Sequence, residues 1–289
     1  MKYSISNWIY GDEPLEKTLQ RLQKYGYDGV ELKGEPELYH PEEVKALCQK
    51  YGLEVFSIAG IYPWPTQDRD LASPDVKVRK RAVDYLKSCI DLASQVGASL
   101  VIVVPSAVGK VNPEEKIQNE EEWIQAKELE WGYAVQSVRI AAEYAHSREI
   151  FLAIEPINRY ETFLVNTAEE GLKFVEEVNS PAVKIHLDAF HMNIEESDLA
   201  KAIRRCGQLL VNFHVADSNR QAVGEGHIDF GAIIRALKEI HYQGPLTLEP
   251  LPPVPNPYIA SGLKRYEPLR DIYAEQSITH LRKLEKEAY

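Results

Sequence analysis

The sequence predicts an α/β fold, a (β/α)8 TIM barrel, and three observations carry that expectation. Eight short apolar runs alternate with longer stretches of helical periodicity along the whole chain. Several of the helical stretches end in a glycine that leads directly into the next run, as helix C-caps do. The length of 289 residues suits one barrel of about 250 residues or two smaller domains, and no break in composition marks a boundary. The expected organisation is therefore a single barrel domain over residues 1–289. A doubly wound open sheet is the alternative, but it needs a glycine-rich phosphate turn after its first strand. The segment there reads Asn7-Trp8-Ile9-Tyr10-Gly11, which offers no such turn.

Taken in order, the first strand is expected at Tyr3–Ser6 and its helix at Leu15–Tyr25, closed by Gly26. The second unit is Gly29–Leu32 with Pro41–Tyr51, closed by Gly52. The third is Glu54–Ile58 with Val76–Val96, closed by Gly97, where Val83, Leu86, Ile90 and Ala93 recur at helical spacing. The fourth strand is Leu100–Val104 and its helix Glu128–His146, with the run Glu120-Glu121-Glu122 read as a solvated helix start. Ile150–Ile154 precedes the helix Ala168–Val178, and Val183–Leu187 precedes Asp198–Cys206, closed by Gly207. Leu210–Val215 with Phe230–Ile240 and the strand Pro245–Leu248 complete eight units. Two segments look like elaborated loops, Pro105–Trp123 and Pro250–Pro257, and both follow strand C-terminal ends, where barrels place their active sites.

Composition narrows the function classes. A formal charge of −11 disfavours phosphate backbones and anionic membrane surfaces as partners. No stretch approaches the roughly 18 apolar residues needed to span a bilayer, and the opening MKYSISNWIYGDEP has no apolar secretory core, so a cytoplasmic location is expected. Cys48, Cys89 and Cys206 form no CxxC pair, which excludes a zinc ribbon and a disulfide scaffold.

Four polar residues fall at the ends of the last four strands: Glu155, Asp188, His214 and Glu249, spaced 33, 26 and 35 residues apart, each about one β-α unit. Strand alternation gives them a common direction. If Glu155 faces the lumen so does Ala153, while Leu152 and Ile154 face the helices. Likewise Asn212 and Thr247 accompany His214 and Glu249 inward, and Val211, Phe213, Val215, Leu246 and Leu248 point outward. Three carboxylates and one imidazole converging at a barrel mouth repel one another unless a cation lies among them. Such an oxygen-rich set suits Mn²⁺, with Mg²⁺ or Co²⁺ as alternatives, and leaves about two coordination positions for water or vicinal substrate oxygens. The competing interpretation is four separate salt-bridged barrel residues.

These strand ends, together with SPAVKIHLDAFHMNIEES at Ser180–Ser197, GEGHIDF at Gly224–Phe230 and DLASPDVKVRKRAVDYLK at Asp70–Lys87, resemble the ketose 3-epimerases of the D-tagatose/D-psicose type. Those enzymes belong to the xylose-isomerase-like sugar isomerase/epimerase superfamily. The similarity runs over essentially the whole chain and is strongest from Glu155 to Glu249. It implies a metal-dependent isomerase in which Glu155, Asp188, His214 and Glu249 bind the metal, and Glu155 and Glu249 also serve as the two acid/base residues, one on each side of the sugar. It further implies that Glu161, His191 and Arg220 contact the first two sugar carbons, and that the protein is a homodimer or homotetramer acting on a small-molecule sugar. Trp8, Tyr62 and Trp64 follow strands one and three, where either sugar stacking or rim packing fits. The Gly224–His227 stretch is either a substrate rim, with His227 orienting Glu225 or a loop carbonyl, or a plain turn; His186 is expected as a satisfied interior histidine.

Two departures bear on the substrate. Pro105-Ser106-Ala107-Val108-Gly109 lacks the aromatic residue expected there, and Pro250-Leu251-Pro252-Pro253 follows Glu249 where an aromatic is more usual. Both bear on the far end of the sugar. Rival readings are an aldose–ketose or hydroxypyruvate-type isomerase of the same superfamily, an endonuclease-IV-like phosphodiesterase, and a non-catalytic sugar-binding barrel. The second needs further metal ligands and a basic face, which a charge of −11 opposes. The third need not keep both glutamates.

Overall fold

In a computed structural model of the chain, described for residues 1–60, 67–113, 117–256, 259 and 263–288, eight parallel strands close into a barrel in sequence order. They are β1 (Lys2–Ser6), β2 (Gly29–Lys33), β3 (Glu54–Ala59), β4 (Leu100–Val103), β5 (Phe151–Ile154), β6 (Val183–Asp188), β7 (Leu210–Val215) and β8 (Pro245–Leu248). Each agrees with its expected span to within one residue at either end.

The helices are α1 (Leu15–Tyr25), α2 (Pro41–Tyr51), α3 (Val76–Val96), α4 (Glu120–Ser147), α5 (Ala168–Val178), α6 (Ala189–Glu195), α7 (Leu199–Cys206), α8 (Phe230–Glu239) and α9 (Glu267–Glu287). Gly26 and Gly52 take left-handed conformations, φ 75° and 65°, and let α1 and α2 turn sharply into the following strands. Gly207 ends α7 with a different positive-φ geometry, φ 51° and ψ −132°.

Three helical features go beyond the sequence expectation. α4 starts at Glu120, eight residues ahead of the expected Glu128, because the Asn119 side chain caps it, accepting from the Glu122 amide at 3.0 Å. The glutamate run then lies at the positive end of the helix dipole. α6 forms because Asp188, the last residue of β6, accepts the Phe190 amide at 2.8 Å and so caps a helix directly on the strand end. α9 packs Tyr273, Ala274, Ile278 and Leu281 inward and touches α1 and α8, so the last helix closes the outer ring against the first.

Two apolar layers result. Apolar residues such as Val30, Leu32, Leu152, Ile154, Phe213 and Leu248 join the helices in the main core. A separate small cluster of Leu100, Ile102 and Ala153 has Val211 against it. Val211 therefore does not join the outward-facing set as alternation predicts. The reason is a register shift: β6 pairs with β7 as Ile185 with Leu210 but His186 with Asn212, so Val211 bulges out of the ladder. Beyond the bulge, Asn212 and His214 align beside His186 and Asp188. No helix among the described residues is long and apolar enough to cross a membrane.

Candidate active site

The four strand-end residues come together, and all are almost completely buried. Asp188 and His214 lie in β6 and β7; Glu155 and Glu249 each follow the last residue of a strand. The ladder extends to hold the latter two, since the Glu155 amide donates to the Val103 carbonyl at 2.9 Å and the Glu249 amide to Val215 at 3.0 Å. Three overlapping groups have ligand atoms close enough to share an ion: Glu155, His186 and His214; Glu31, His214 and Glu249; and Glu155, Asp188 and His191. The expected quartet is thus distributed through these groups, with Glu31, His186 and His191 added around it.

Arg220 lies between two of the carboxylates. Its guanidinium contacts Asp188 Oδ2 at 2.5 Å and Glu249 Oε2 at 3.0 Å, and its face covers the Phe190 ring at 4.7 Å. Its backbone has φ 61°, and among the described non-glycine residues with positive φ it is the one not found just past a helix end. Unusual backbone held in place by surrounding bonds is typical of functional loops. Here the Arg220 amide donates to Asp217 and its carbonyl accepts from Leu251, each at 2.7 Å.

Four buried carboxylates (Glu31, Glu155, Asp188 and Glu249) gather here and the Arg220 guanidinium pairs with two of them, leaving a negative excess away from water. The excess shows in the neighbours. Burial opposes a charged His214, yet Glu249 and Glu31 outweigh it and raise the imidazole well above its ordinary range. Burial also works against ionised Asp188, but Arg220 and then His191 and His214 hold it well below the usual carboxylate range. Glu155 is likewise kept low against burial, first by His186. Glu155 Oε2 is buried with no hydrogen-bond partner. Hard oxygen donors, neighbouring imidazole nitrogens and an unpartnered carboxylate oxygen fit a divalent cation.

The remaining predicted residues surround this centre. His191 sits one helical turn after Asp188 on α6, with Nε2 at 3.6 Å from Asp188 Oδ2. Glu161 is held by Asn158 Nδ2 at 3.0 Å, and the same amide nitrogen lies 2.8 Å from His191 Nδ1. Trp8 donates its indole hydrogen to Glu249 Oε1 at 2.5 Å, so it touches the cluster directly. Trp64 and Tyr62 lie outside the described residues. His186 faces the lumen but is not a satisfied histidine: neither ring nitrogen has a hydrogen-bond partner, and Nε2 stands 3.4 Å from Glu155 Oε1. The rim around Gly224–His227 is organised by Asp217, whose carboxylate accepts from the amides of Ser218, Gly224 and Ile228. Among the described residues His227 Nδ1 meets the Ser218 hydroxyl at 2.9 Å, while Glu225 is bound by Gln276 at 2.7 Å.

The segment after β4 also serves the rim. The Gly109 amide donates to the Glu161 carbonyl at 2.8 Å, and Lys110 pairs with Thr162 in an isolated bridge. Ala107 and Val108 are buried where an aromatic was expected.

Glu31, Ser57, Asn158 and Asp217 were not among the predicted residues. Glu31 carried a readable signal, since Glu31 and Lys33 alternate with Val30 and Leu32 as the polar and aliphatic residues do in β7 and β8. Ser57, Asn158 and Asp217 had none, because they act through loops and register shifts.

The sequence matches the family of xylose isomerase-like TIM barrels over residues 19–269. An L-ribulose 3-epimerase of Methylomonas sp. is 32% identical over 239 residues, 81% of this chain and 77% of the other. A D-psicose 3-epimerase of Ruminiclostridium cellulolyticum is 32% identical over 241 residues, 80% of this chain and 76% of the other. Among solved structures, D-psicose 3-epimerase with D-tagatose from Clostridium cellulolyticum superposes with a TM-score of 0.84 at 26% identity, over 99% of both chains.

Proposed function

The chain belongs to the xylose isomerase-like TIM barrel family, and from that premise we propose that it is a metal-dependent ketose 3-epimerase acting on a small free ketose. The observation that carries this reading is the pair Glu155 and Glu249, buried at the ends of β5 and β8 and linked to each other through His214 and to Asp188 through Glu155 in overlapping ligand groups. In this reading those four residues hold the metal, Mn²⁺ before Mg²⁺ or Co²⁺, which when bound draws charge from the carbonyl and stabilises an enediolate.

The chain's own groups do the rest. One glutamate, ionised, removes the C3 proton, and the other, protonated, returns a proton to C3 from the opposite face. The two carboxyl groups exchange protonation states in each turnover, so the sugar's composition is unchanged and only one configuration inverts. A carboxylate is a weak base for such a proton, and burial of both side chains supplies part of the needed desolvation. Trp8 restrains Glu249 through Oε1, leaving Oε2 toward His214 and Arg220. Glu161, His191 and Arg220 are assigned to the O1/O2 end of the sugar, and Trp8 and Trp64 to its faces. The same reading makes the protein a homodimer or homotetramer, which sedimentation would test.

The deciding experiment incubates the protein with a panel of free ketoses in deuterium oxide, with Mn²⁺, Mg²⁺ and Co²⁺ in turn. A C3 epimer carrying deuterium at C3 is expected. An aldose product would assign the site to C1/C2 isomerisation instead, and no conversion of any ketose would overturn the reading. Glu155→Gln and Glu249→Gln should each lower turnover about 10²- to 10⁴-fold while metal is retained. Near-normal turnover in either variant sinks the two-base assignment.

A further inference from the structure

Glu31 is wholly buried in the middle of β2, and no step above uses it. Its surroundings depend on a bulge. β2 pairs with β3 as Val30 with Val55 but Glu31 with Ser57, so Phe56 is skipped and the Ser57 hydroxyl reaches the carboxylate. Ser57 Oγ donates to Glu31 Oε2 at 2.6 Å, and Asn212 Nδ2 donates to the same oxygen at 3.4 Å. Bonds from β3 and from β7 thus fix the carboxylate from two directions. His214 Nε2 lies between the two oxygens, 3.0 Å from Oε1 and 3.1 Å from Oε2. The other ring nitrogen, Nδ1, lies 3.1 Å from Glu249 Oε2. One imidazole cannot turn both nitrogens to a single ion, so Glu31 and Glu249 occupy opposite sides of the ring. The His186 ring meets that of His214 edge-on at 4.1 Å and limits its swing.

We propose that Glu31 is a positioning residue of the metal centre: it accepts the Nε2 hydrogen of His214, fixes the ring plane, and leaves the Nδ1 lone pair for the metal on the Glu249 side. This rests on the metal-dependent reading given above. An imidazole that gives its second N–H to a carboxylate becomes a more basic ligand held in one tautomer. The two bulges supply the precision, one aligning Ser57 with Glu31 and the other aligning Asn212 and His214 with β6. In this scheme Glu31 is not itself a ligand: its Oε2 is engaged by Ser57, Asn212 and His214, and its Oε1, which has no hydrogen-bond partner, faces His214 Nε2 at 3.0 Å.

The test measures Mn²⁺ affinity by calorimetry for the wild type, Glu31→Gln and Ser57→Ala. Alongside, ¹⁵N spectra of the imidazoles are recorded with diamagnetic Mg²⁺. Glu31→Gln is expected to weaken Mn²⁺ binding about 10- to 100-fold and to turn the single Nε2–H tautomer of His214 into a mixture. Ser57→Ala keeps the carboxylate and should show a smaller loss in the same direction. Unchanged affinity and an unmoved His214 signal in Glu31→Gln overturn the proposal. If that variant does not fold, the same result in Ser57→Ala overturns it. A wild type that binds Mn²⁺ through His214 yet converts no ketose removes the epimerase reading and leaves the role of Glu31 standing. A wild type that binds no Mn²⁺ overturns both.

Discussion

Buried Arg220 and largely buried Lys110 each lie between two carboxylates, and they differ in what surrounds them. Arg220, in the loop after β7, bridges Asp188 at 2.5 Å and Glu249 at 3.0 Å. Lys110, in the loop after β4, bridges Asp70 at 2.9 Å and Glu130 at 2.5 Å. The charge pattern is the same. Around Lys110 the bonds go to backbone: Asp70 also accepts the amides of Ala72 and Ala107 at 2.9 and 3.1 Å, tying one loop to another. Around Arg220 both carboxylates belong to groups able to share an ion, and the arginine backbone is held at positive φ. A buried ion bridge is therefore not by itself a mark of a site. What separates the two is whether the carboxylates converge with further ligands or disperse into backbone bonds.

Replacing each cation by an apolar residue of similar length makes the difference measurable. Arg220→Met should have the larger effect. It leaves Asp188 and Glu249 without the guanidinium, which costs about 3–5 kcal/mol in metal-free protein. Added Mn²⁺ should recover much of that loss, so the metal-induced rise in melting temperature is expected to be greater in the variant than in the parent. Epimerisation should fall as well, because Arg220 is assigned to the sugar's O1/O2 end. A variant that melts like the parent without metal would mean that the four carboxylates need no internal cation.

Lys110→Met should cost a similar 3–5 kcal/mol at most, from the same removal of a buried partner. Here Mn²⁺ should not restore stability beyond what it adds to the parent, and turnover per folded molecule should stay within a few-fold. The measurement is thermal unfolding with and without Mn²⁺, paired with the ketose assay. Recovery by Mn²⁺ equal to that of Arg220→Met would erase the distinction between the two bridges. A large fall in turnover would instead place the Lys110 bridge in control of Glu161, whose carbonyl accepts from Gly109.

The same contrast marks where the sequence was legible. Strands and most helices followed from periodicity and glycine stops, because both elements bury one face in a continuous core. The quartet was legible because β5 to β8 each carry a polar residue at their end, spaced by one β-α unit. The first four strands offer no carboxylate or imidazole at their ends, which are Ser6, Lys33, Ala59 and Val103, and their carboxylate comes from inside β2. Alternation alone also misplaced Val211, because a bulge breaks the period of two that alternation assumes. Lumen histidines usually find partners, whereas neither ring nitrogen of His186 is hydrogen-bonded and Nε2 stands 3.4 Å from a carboxylate of the same ligand group. Lys110 and its two carboxylates are 40 and 20 residues apart, and nothing local announces their meeting.

A third junction, a helix cap, calibrates both bridges and should give the smallest effect. Thr167 starts α5, downstream of the loop that carries Glu161, and forms a capping box: its hydroxyl accepts the Glu170 amide at 3.1 Å, and Glu170 Oε2 accepts the Thr167 amide at 3.3 Å. Thr167→Ala removes one of these bonds and should cost about 1 kcal/mol. In a domain of this size that lowers the melting temperature by about 2–4 °C. Turnover and Mn²⁺ affinity should not change, because the Asn166 side chain still holds the loop through the Ile157 and Thr162 carbonyls at 2.7 and 2.8 Å, and its amide still donates to Glu170. A drop in turnover larger than the drop in folded fraction would show that the helix start, and not Asn166, sets the position of Glu161. In that case the effects of removing Lys110 would have to be read through the same loop, since Lys110 pairs with Thr162.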